Sequence, residues 1–408
     1  VAYLGTLAAD TPSAANVRAY AEIVRERSVL RSLIAAGQDI AELGYQPGGR
    51  ASAELQEEAE KALFRQRSRG SREANQAEGY ETLIPRVENR VEAVSRGGEQ
   101  PGLPTGFTEL DRRTMGLHPG DLVIIGGRPG MGKSSLSQNI AENVAIDQNR
   151  PVLVFSMEMP REQLAMRSIA ARAGVPLERL KGGDLDELHW AEIAAWGGRL
   201  RRAPLFIDDT GALSPIELRS RARRYQAKHP GLALVIVDYI QLMQVRGERN
   251  RDNEIGVISR ALKALAKELG VPLIALSQLS RKCEERADKR PQISDLRESG
   301  SIEQDADMVL LLYRDEYYDQ DSPDLGIAEV DLAKQRNGPR ATFDLNYRGE
   351  FCRFENYIGE PRPPLAQRRK QQQQAAAPAK TAPKSGWSSK RKGGAAPAPH
   401  PSERADFD

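Results

Sequence analysis

Short apolar runs alternate with amphipathic segments through the middle of the chain. From Asp121 onward the runs read LVIIGG, PVLVFSM, APLFIDD, LALVIVDY, VPLIALS and MVLLLYR, and the stretches between them have helical periodicity. Val, Ile and Leu fill these runs almost without interruption, which is typical of strands buried on both faces. The pattern predicts an α/β domain with a mostly parallel central sheet covered by helices on both sides.

After Met308 the pattern changes to an alternation of apolar and polar residues. The segments AEVDLAKQR, ATFDLNY and EFCRFE follow one another closely, with turn-forming residues between them. Alternation with a period of two is typical of half-buried strands. We therefore predict antiparallel strands that extend one edge of the parallel sheet.

The N-terminal part of the chain has helical rather than strand periodicity. Residues 13–45 are rich in helix formers with apolar residues near helical spacing, which predicts one or two helices. The segment YQPGGRA breaks this pattern. An amphipathic helix is predicted at 53–66, a polar tether at 67–77, and helical periodicity resumes at 79–96. Such a helix, with one apolar face and flexible flanks, is expected to dock in a groove on something else.

Composition restricts the class of protein. The chain has 408 residues, of which 39% are apolar, enough for one substantial core within two or three domains. No apolar run approaches the about 18 residues that a membrane-spanning helix needs. Two distant cysteines, Cys283 and Cys352, and four scattered histidines are poor material for a zinc site or a disulfide framework. We expect a protein of the reducing cytoplasm.

Charge is distributed unevenly along the chain. The formal net charge is +2, but residues 361–408 contain ten Lys or Arg against three Asp or Glu, so this tail carries +7 and the remainder −5. Because the remainder is slightly acidic, any nucleic-acid site on the folded part must be local, not a general basic surface. The tail is also biased in Gln, Ala and Pro, which predicts disorder. The tail itself could add nonspecific DNA affinity or be inert.

The sequence GGRPGMGKSS, residues 126–135, matches the phosphate-binding pattern G-x-x-x-x-G-K-[ST]. An apolar strand precedes it and a helical segment follows, as the motif requires. Glycines let backbone N–H groups surround phosphate oxygens, and the helix directs its positive end at the same anion. Lys133 should reach the β and γ phosphates, and the Ser134 hydroxyl should bind Mg²⁺. The predicted nucleotide-binding residues are Gly127, Arg128, Pro129, Gly130, Met131, Gly132, Lys133, Ser134 and Ser135.

Polar residues stand where three of the predicted strands end. Glu158 could accept a proton from an attacking water, or it could be a solvated strand-end carboxylate. Asp238 follows a strongly apolar run, where an unpaired carboxylate is costly and a Mg²⁺ partner would offset that cost; a simple turn is the alternative. Gln278 could sense the γ phosphate through its amide, although strand-end glutamines are commonly just solvated. Ligands of parallel sheets collect at this edge.

Two further segments contain candidate binding residues. The polar loop ISDLRESGSIEQDAD has Arg297 and the backbone around Gly300 available to hold nucleic-acid phosphates. In KQRNGP, Lys334 and Arg336 stand two apart on a strand, so both side chains emerge from one face. They could form a solvated face, or complete the site of a neighbouring subunit as an arginine finger.

The ordered set GRPGMGKS, FSMEMP, LVIVDYIQLM, ALSQLSR, DLRESGSIEQDAD and AKQRNGP resembles the bacterial replicative DNA helicase of the DnaB type, in the RecA-like superfamily of P-loop ATPases. The resemblance implies a homohexameric ring that encircles one DNA strand, translocates 5′ to 3′ and unwinds the replication fork with ATP bound between subunits. It also implies Mg²⁺, a helicase loader and a primase as partners, and a cytoplasmic, nucleoid-associated location.

The resemblance also implies roles for individual residues. Its motifs assign phosphate and Mg²⁺ binding to Lys133 and Ser134, the role of catalytic base to Glu158, support of the metal to Asp238 and the γ-phosphate contact to Gln278. They assign DNA contacts to Arg297, Glu298 and Gly300. They assign action in trans, on the nucleotide of a neighbouring subunit, to Lys334 and Arg336.

The implied organisation has four parts. These are a helical hairpin at 1–46, a linker with a docking helix at 47–78, the RecA-like ATPase domain at 79–360 and the basic tail at 361–408. The family usually has a further globular helical domain before the hairpin, and here we expect it to be missing from the sequence. The sequence does not begin with Met, which suggests a fragment or processed chain.

Two other functions fit part of the pattern. One is a RecA-like recombination or repair ATPase acting on single-stranded DNA, which would form filaments rather than closed rings. The other is a nucleotide-stabilised assembly scaffold that hydrolyses little ATP; Glu158, Lys334 and Arg336 argue against it.

Overall fold

The structure is a computed structural model that describes residues 17–49, 55, 58–59, 78–97, 101–245, 250–296, 300–360 and 362–363. It divides into two units, Val1–Glu99 and Gln100–Asp408. The described residues of the first unit form helices α1 (Val17–Tyr45) and α2 (Tyr80–Ser95).

Helix α1 is continuous, and residues 1–16 of the predicted hairpin lie outside the described residues. Of the predicted docking helix at 53–66, only Leu55, Glu58 and Ala59 are described. Helix α2 is amphipathic and has no buried residue within this unit.

The second unit is built on one nine-stranded sheet of order β3-β2-β4-β5-β1-β6-β7-β8-β9. Strands β1 to β6 pair in parallel, and β7 to β9 continue the sheet in antiparallel fashion. Both predictions are confirmed. The strands are β1 (Leu122–Gly127), β2 (Val152–Ser156), β3 (Leu205–Asp208), β4 (Leu234–Asp238), β5 (Leu273–Gln278), β6 (Met308–Tyr313), β7 (Ile327–Gln335), β8 (Ala341–Arg348) and β9 (Arg353–Asn356).

Helices connect these strands. They are α3 (Thr108–Thr114), α4 (Lys133–Glu142), α5 (Arg161–Ala173), α6 (Leu177–Gly182), α7 (Glu187–Arg202), α8 (Pro215–Lys228), α9 (Arg251–Leu269) and α10 (Gly300–Asp305). Local sequence fixes several of their ends. Ser214 caps α8 and Glu217 reciprocates in a capping box, with Pro215 at the first helical position.

Two apolar cores lie on opposite faces of the sheet. Strand β1 contributes to both, since Leu122 and Ile124 belong to one core while Val123 and Ile125 belong to the other. Residues of α8 and α9 complete the first core, and residues of α4 complete the second. This double coverage explains why the parallel strands are apolar at almost every position before their carboxyl ends.

The strand register fixes which strand ends meet. Gly127 pairs with Gln278, and Ser156 pairs with Asp238, so the carboxyl ends of β1, β2, β4 and β5 lie along one edge of the sheet. At the opposite edge, Val309 near the start of β6 pairs with Lys334 near the end of β7. Among the described residues, no helix is long and apolar enough to cross a membrane.

Candidate active site

The loop between β1 and α4 requires glycine at two positions. Gly130 and Gly132 have φ of +81° and +95°, a region that favours glycine. A Cβ on Gly132 would lie 2.8 Å from the ring of Phe354, and one on Gly130 would lie 2.6 Å from the ring of Tyr317. Helix α4 begins without a side-chain cap and without an acidic residue in its first turn. Its first N–H groups are therefore suited to an anion.

Lys133, the first residue of α4, has a largely buried ammonium group. The Nζ atom donates a hydrogen bond to the backbone carbonyl of Arg128 at 3.1 Å. Burial lowers the pKa of Lys133 to about 8, against the opposing effect of the Asp238 and Glu158 carboxylates. A desolvated cation at the start of a helix is well suited to a phosphate group, which would restore its charged form.

Asp238 ends β4 and is only 4% exposed. Burial raises its pKa to about 6, and a hydrogen bond with the Ser134 hydroxyl opposes that shift. The two side chains thus offer a carboxylate and a hydroxyl oxygen side by side. No group of three or more His, Cys, Asp or Glu that could hold a metal occurs in the described part of the chain. The pair fits Mg²⁺, which takes few protein ligands and completes its shell with water and substrate phosphates.

Glu158 lies in the turn after β2, and its side chain is exposed. The buried Ser156 hydroxyl fixes this turn, donating to the Met159 carbonyl at 2.8 Å and accepting from the Met159 N–H at 3.2 Å. The Met157 N–H donates to the Asp238 carbonyl at 2.8 Å, which ties the turn to β4. Glu158 is close enough to raise the pKa values of both Lys133 and Asp238.

Gln278 ends β5 directly beside the start of the phosphate-binding loop. Its backbone N–H donates to the Gln241 side-chain oxygen at 3.2 Å, and the Gln241 amide donates to the Ser277 hydroxyl at 2.9 Å. Gln241, which follows β4 in a short 3₁₀ turn, was not singled out by the sequence analysis. It links the ends of β4 and β5.

Lys334 and Arg336 lie away from this loop along the strand direction. Lys334 pairs with Val309, and Val309 pairs with Ile124, which is three residues before Gly127. At about 3.3 Å per residue, the separation along β1 is about 10 Å. The two cations therefore lie at the opposite edge of the sheet from the phosphate-binding loop.

Both cations contact the C-terminal end of α10. Lys334 Nζ donates to the carbonyls of Glu303 and, at 2.7 Å, Ala306; Arg336 donates to the Gln304 carbonyl at 2.9 Å. Arg336 also lies 3.5 Å from the Asp307 carboxylate. The sequence showed no obvious acidic partner for this pair, and the fold supplies one.

The predicted DNA-contacting loop is described only in part. Arg297 and Glu298 lie outside the described residues, whereas Gly300 is exposed and begins α10. Leu296, just before the loop, is buried and forms a β-bridge with Leu279.

Arg167, Tyr347 and Arg314 interact with residues of the site but belong to none of the sequence motifs. Arg167 on α5 has a buried Nε without a hydrogen-bond partner in the described structure, and its charge lowers the pKa values of Asp238 and Tyr347. The Tyr347 ring lies 4.0 Å beneath the Arg314 guanidinium, whose NH1 donates to the Gly130 carbonyl at 2.9 Å. Sequence reasoning missed these residues because only the fold brings them to the loop.

Comparison with known proteins identifies the family. The family model described as DnaB-like helicase C terminal domain matches residues 102–356. Replicative DNA helicase DnaB of Haemophilus influenzae is 46% identical over 364 residues, which cover 87% of this chain and 77% of that protein. The Geobacillus stearothermophilus protein of the same name is 44% identical over 359 residues, covering 87% and 78%. The chain belongs to the DnaB family of replicative DNA helicases.

Solved structures agree with this assignment. One of them, described as an ATPase domain, is 37% identical, with a TM-score of 0.66, and matches 69% of this chain and all of that one. A DnaB-like replicative helicase described with its interactions with primase is 35% identical, with a TM-score of 0.69, covering 87% and 83%.

The comparisons confirm the replicative helicase and favour it over the recombination ATPase. The enzyme class is ATP-dependent DNA helicase.

Proposed function

We propose that this chain is the motor subunit of a homohexameric ring that hydrolyses ATP to translocate 5′ to 3′ on single-stranded DNA. One observation supports this most strongly: the phosphate-binding loop and the cation pair Lys334 and Arg336 lie at opposite edges of one sheet. A site that needs both is complete only where two subunits meet.

Within one subunit, the loop from Gly127 to Ser135 and the Lys133 ammonium hold the triphosphate. Ser134 and Asp238 hold Mg²⁺, which neutralises phosphate charge when it is bound. Glu158 accepts the proton of the attacking water, and the Gln278 amide contacts the γ phosphate. Support comes from the buried, hydrogen-bonded pair of Ser134 and Asp238 beside Lys133, and from the fixed turn that positions Glu158.

Lys334 and Arg336 act on the nucleotide of the neighbouring subunit. A trans-acting arginine contributes about 10³ to 10⁵ in rate in related phosphoryl-transfer enzymes. We infer that hydrolysis removes the phosphate these cations hold and thereby frees the interface for the next step along DNA. Arg297, Glu298 and the backbone at Gly300 hold the strand.

Mixing two inactive variants tests the trans arrangement. Arg336→Ala lacks a cation but keeps Glu158, and Glu158→Gln lacks the base but keeps Arg336. Each alone is inactive; when they are co-assembled, interfaces that pair Glu158 of one subunit with Arg336 of the other regain DNA-stimulated ATPase. The control mixes Glu158→Gln with Lys133→Ala, which damage the same side of the interface and restore nothing. Failure of the first mixture to recover, although mass measurement shows mixed particles, contradicts the trans mechanism.

The helix predicted at 53–66 provides a second intersubunit contact by docking on the adjacent subunit. The particle mass, measured with ATP and a short oligonucleotide, tests for six copies.

Contacts with a helicase loader and a primase also belong to this proposal. A solved relative is described with its interactions with primase, which supports the primase contact. Affinity chromatography with the purified partners of the same host tests them.

A further inference from the structure

The connection between β5 and β6 is bonded to the phosphate-binding loop where it begins. The Leu279 N–H is 3.4 Å from the Gly127 carbonyl, and Arg128 NH1 donates to the Leu279 carbonyl at 2.9 Å. The side chain of Arg128 is thereby directed at this connection. The backbone carbonyl of Arg128 accepts the hydrogen bond from Lys133 Nζ.

The same guanidinium forms a two-pronged ion pair with Glu284. Arg128 Nε lies 3.0 Å from Glu284 Oε1, and NH2 lies 3.1 Å from Oε2. The Tyr318 hydroxyl adds a hydrogen bond to Oε1 at 3.2 Å. The hydrogen bond from Arg128 lowers the pKa of Glu284, so the carboxylate is ionised at neutral pH. Paired charge-assisted bonds of this kind hold orientation as well as position.

The connection leads directly into the predicted DNA loop. Leu279 also bridges Leu296, and the Ser280 N–H donates to the Asp295 carbonyl at 2.8 Å. Asp295 is held in turn by Arg286 at 2.8 and 2.6 Å. Leu296 is the residue immediately before Arg297. A continuous set of bonds thus runs from the phosphate-binding loop to Leu296.

The two partners differ in exposure. The Arg128 side chain is 11% exposed, and that of Glu284 is 32% exposed. Arg128 is therefore fixed in the loop, while Glu284 lies in the part of the pair that is accessible to solvent.

We propose that Glu284 is a positioning residue through which nucleotide on the phosphate-binding loop and single-stranded DNA change each other's affinity. This inference depends on the proposed function, since it needs both ligands to bind. Glu284 itself belongs to neither predicted binding segment. Its effect is on the coupling between the sites and not on either site alone.

Coupling is measured as the ratio of nucleotide dissociation constants without and with DNA, using the full chain. The probes are a fluorescent non-hydrolysable ATP analogue with Mg²⁺ and a labelled oligothymidylate. Coupling between linked sites is typically about 5- to 150-fold, and the effect of nucleotide on DNA affinity must show the same factor. We expect Glu284→Gln to reduce this factor to about one, while each ligand alone binds as in the parent.

Glu285 supplies a matched control. It is adjacent and exposed, and Glu285→Gln changes the same charge. We expect that variant to keep the coupling of the parent. Glu284→Lys, which repels Arg128, should abolish coupling as Glu284→Gln does. Parent-like coupling in both Glu284 variants, or equal loss in the Glu285 variant, overturns the inference. A parent that binds no DNA overturns the proposed function, and a parent that binds both ligands independently overturns only the inference.

Discussion

Asp238 gives a quantitative prediction, because burial disfavours the ionised form of its carboxyl, the form that would bind a metal ion. The pKa of this carboxyl is raised from 3.8 to about 6, chiefly by burial. One pH unit corresponds to about 1.4 kcal/mol, so the ionised carboxylate destabilises the free protein by about 3 kcal/mol at neutral pH. We expect Asp238→Asn, which removes the charge and keeps the shape, to stabilise the nucleotide-free protein by about that amount.

The sign of the pH dependence follows from the raised pKa. The folded state binds the proton more tightly than the unfolded state, so the cost is complete above the folded pKa of about 6. It diminishes as the pH falls through that value and is lost below the unfolded pKa near 3.8. The advantage of the Asn variant should therefore fall by about 1 kcal/mol between pH 7 and pH 5.

Denaturant unfolding at these two pH values, in EDTA and without nucleotide, measures the effect. Asp209→Asn is the control, because hydrogen bonds from Arg161 lower the pKa of Asp209 to about 2. Its stabilising contribution is present above the unfolded pKa and is lost only near pH 2, so its difference from the parent should be constant between pH 5 and pH 7. An Asp238→Asn variant that is no more stable than the parent at pH 7 would refute the reasoning from burial.

Three further predictions concern the neighbouring residues. The pKa of Lys133 is about 8 in the free protein, and bound phosphate favours its charged form. Nucleotide affinity should therefore fall by up to about tenfold per pH unit above pH 8. An affinity that is unchanged up to pH 9.5 contradicts this. Glu158→Gln should bind ATP and DNA normally but lose about 10²- to 10⁴-fold in single-turnover hydrolysis, and near-parental hydrolysis would reassign the base. Ser156→Ala removes both hydrogen bonds to Met159 and should cost about 1–3 kcal/mol of stability and lower kcat; an unchanged kcat would show that the turn does not position Glu158.

The parallel sheet and its ligand edge were predictable because the relevant information is local. Continuous apolar runs mark strands buried on both faces, and the residue after each run must lie at the carboxyl edge. That reasoning identified Glu158, Asp238 and Gln278, and the register brings Gln278 beside Gly127 and Asp238 beside Ser156. The roles of these residues remain predictions.

Contacts between residues distant in sequence were not predictable. Arg167 is one of many arginines on a helix, and nothing in its neighbourhood indicates that its Nε is buried beside Asp238. The acidic partner of Arg336 is Asp307, in a different element. In both cases the pairing depends on how helices and the edge strands pack, which periodicity does not specify.

The antiparallel extension of the sheet gives each subunit a direction. Because β7 returns toward the start of β6, the loop from Gly127 to Ser135 lies at one end of the strands, and Lys334 and Arg336 lie at the other. Under the proposed function, copies associate head to tail. An open row of copies therefore always has one unpaired phosphate-binding loop at one end and one unpaired Lys334 and Arg336 pair at the other. Only a rotation between successive copies can close such a row into a ring. A substitution that removes this rotation would therefore convert a finite assembly into an open-ended polymer.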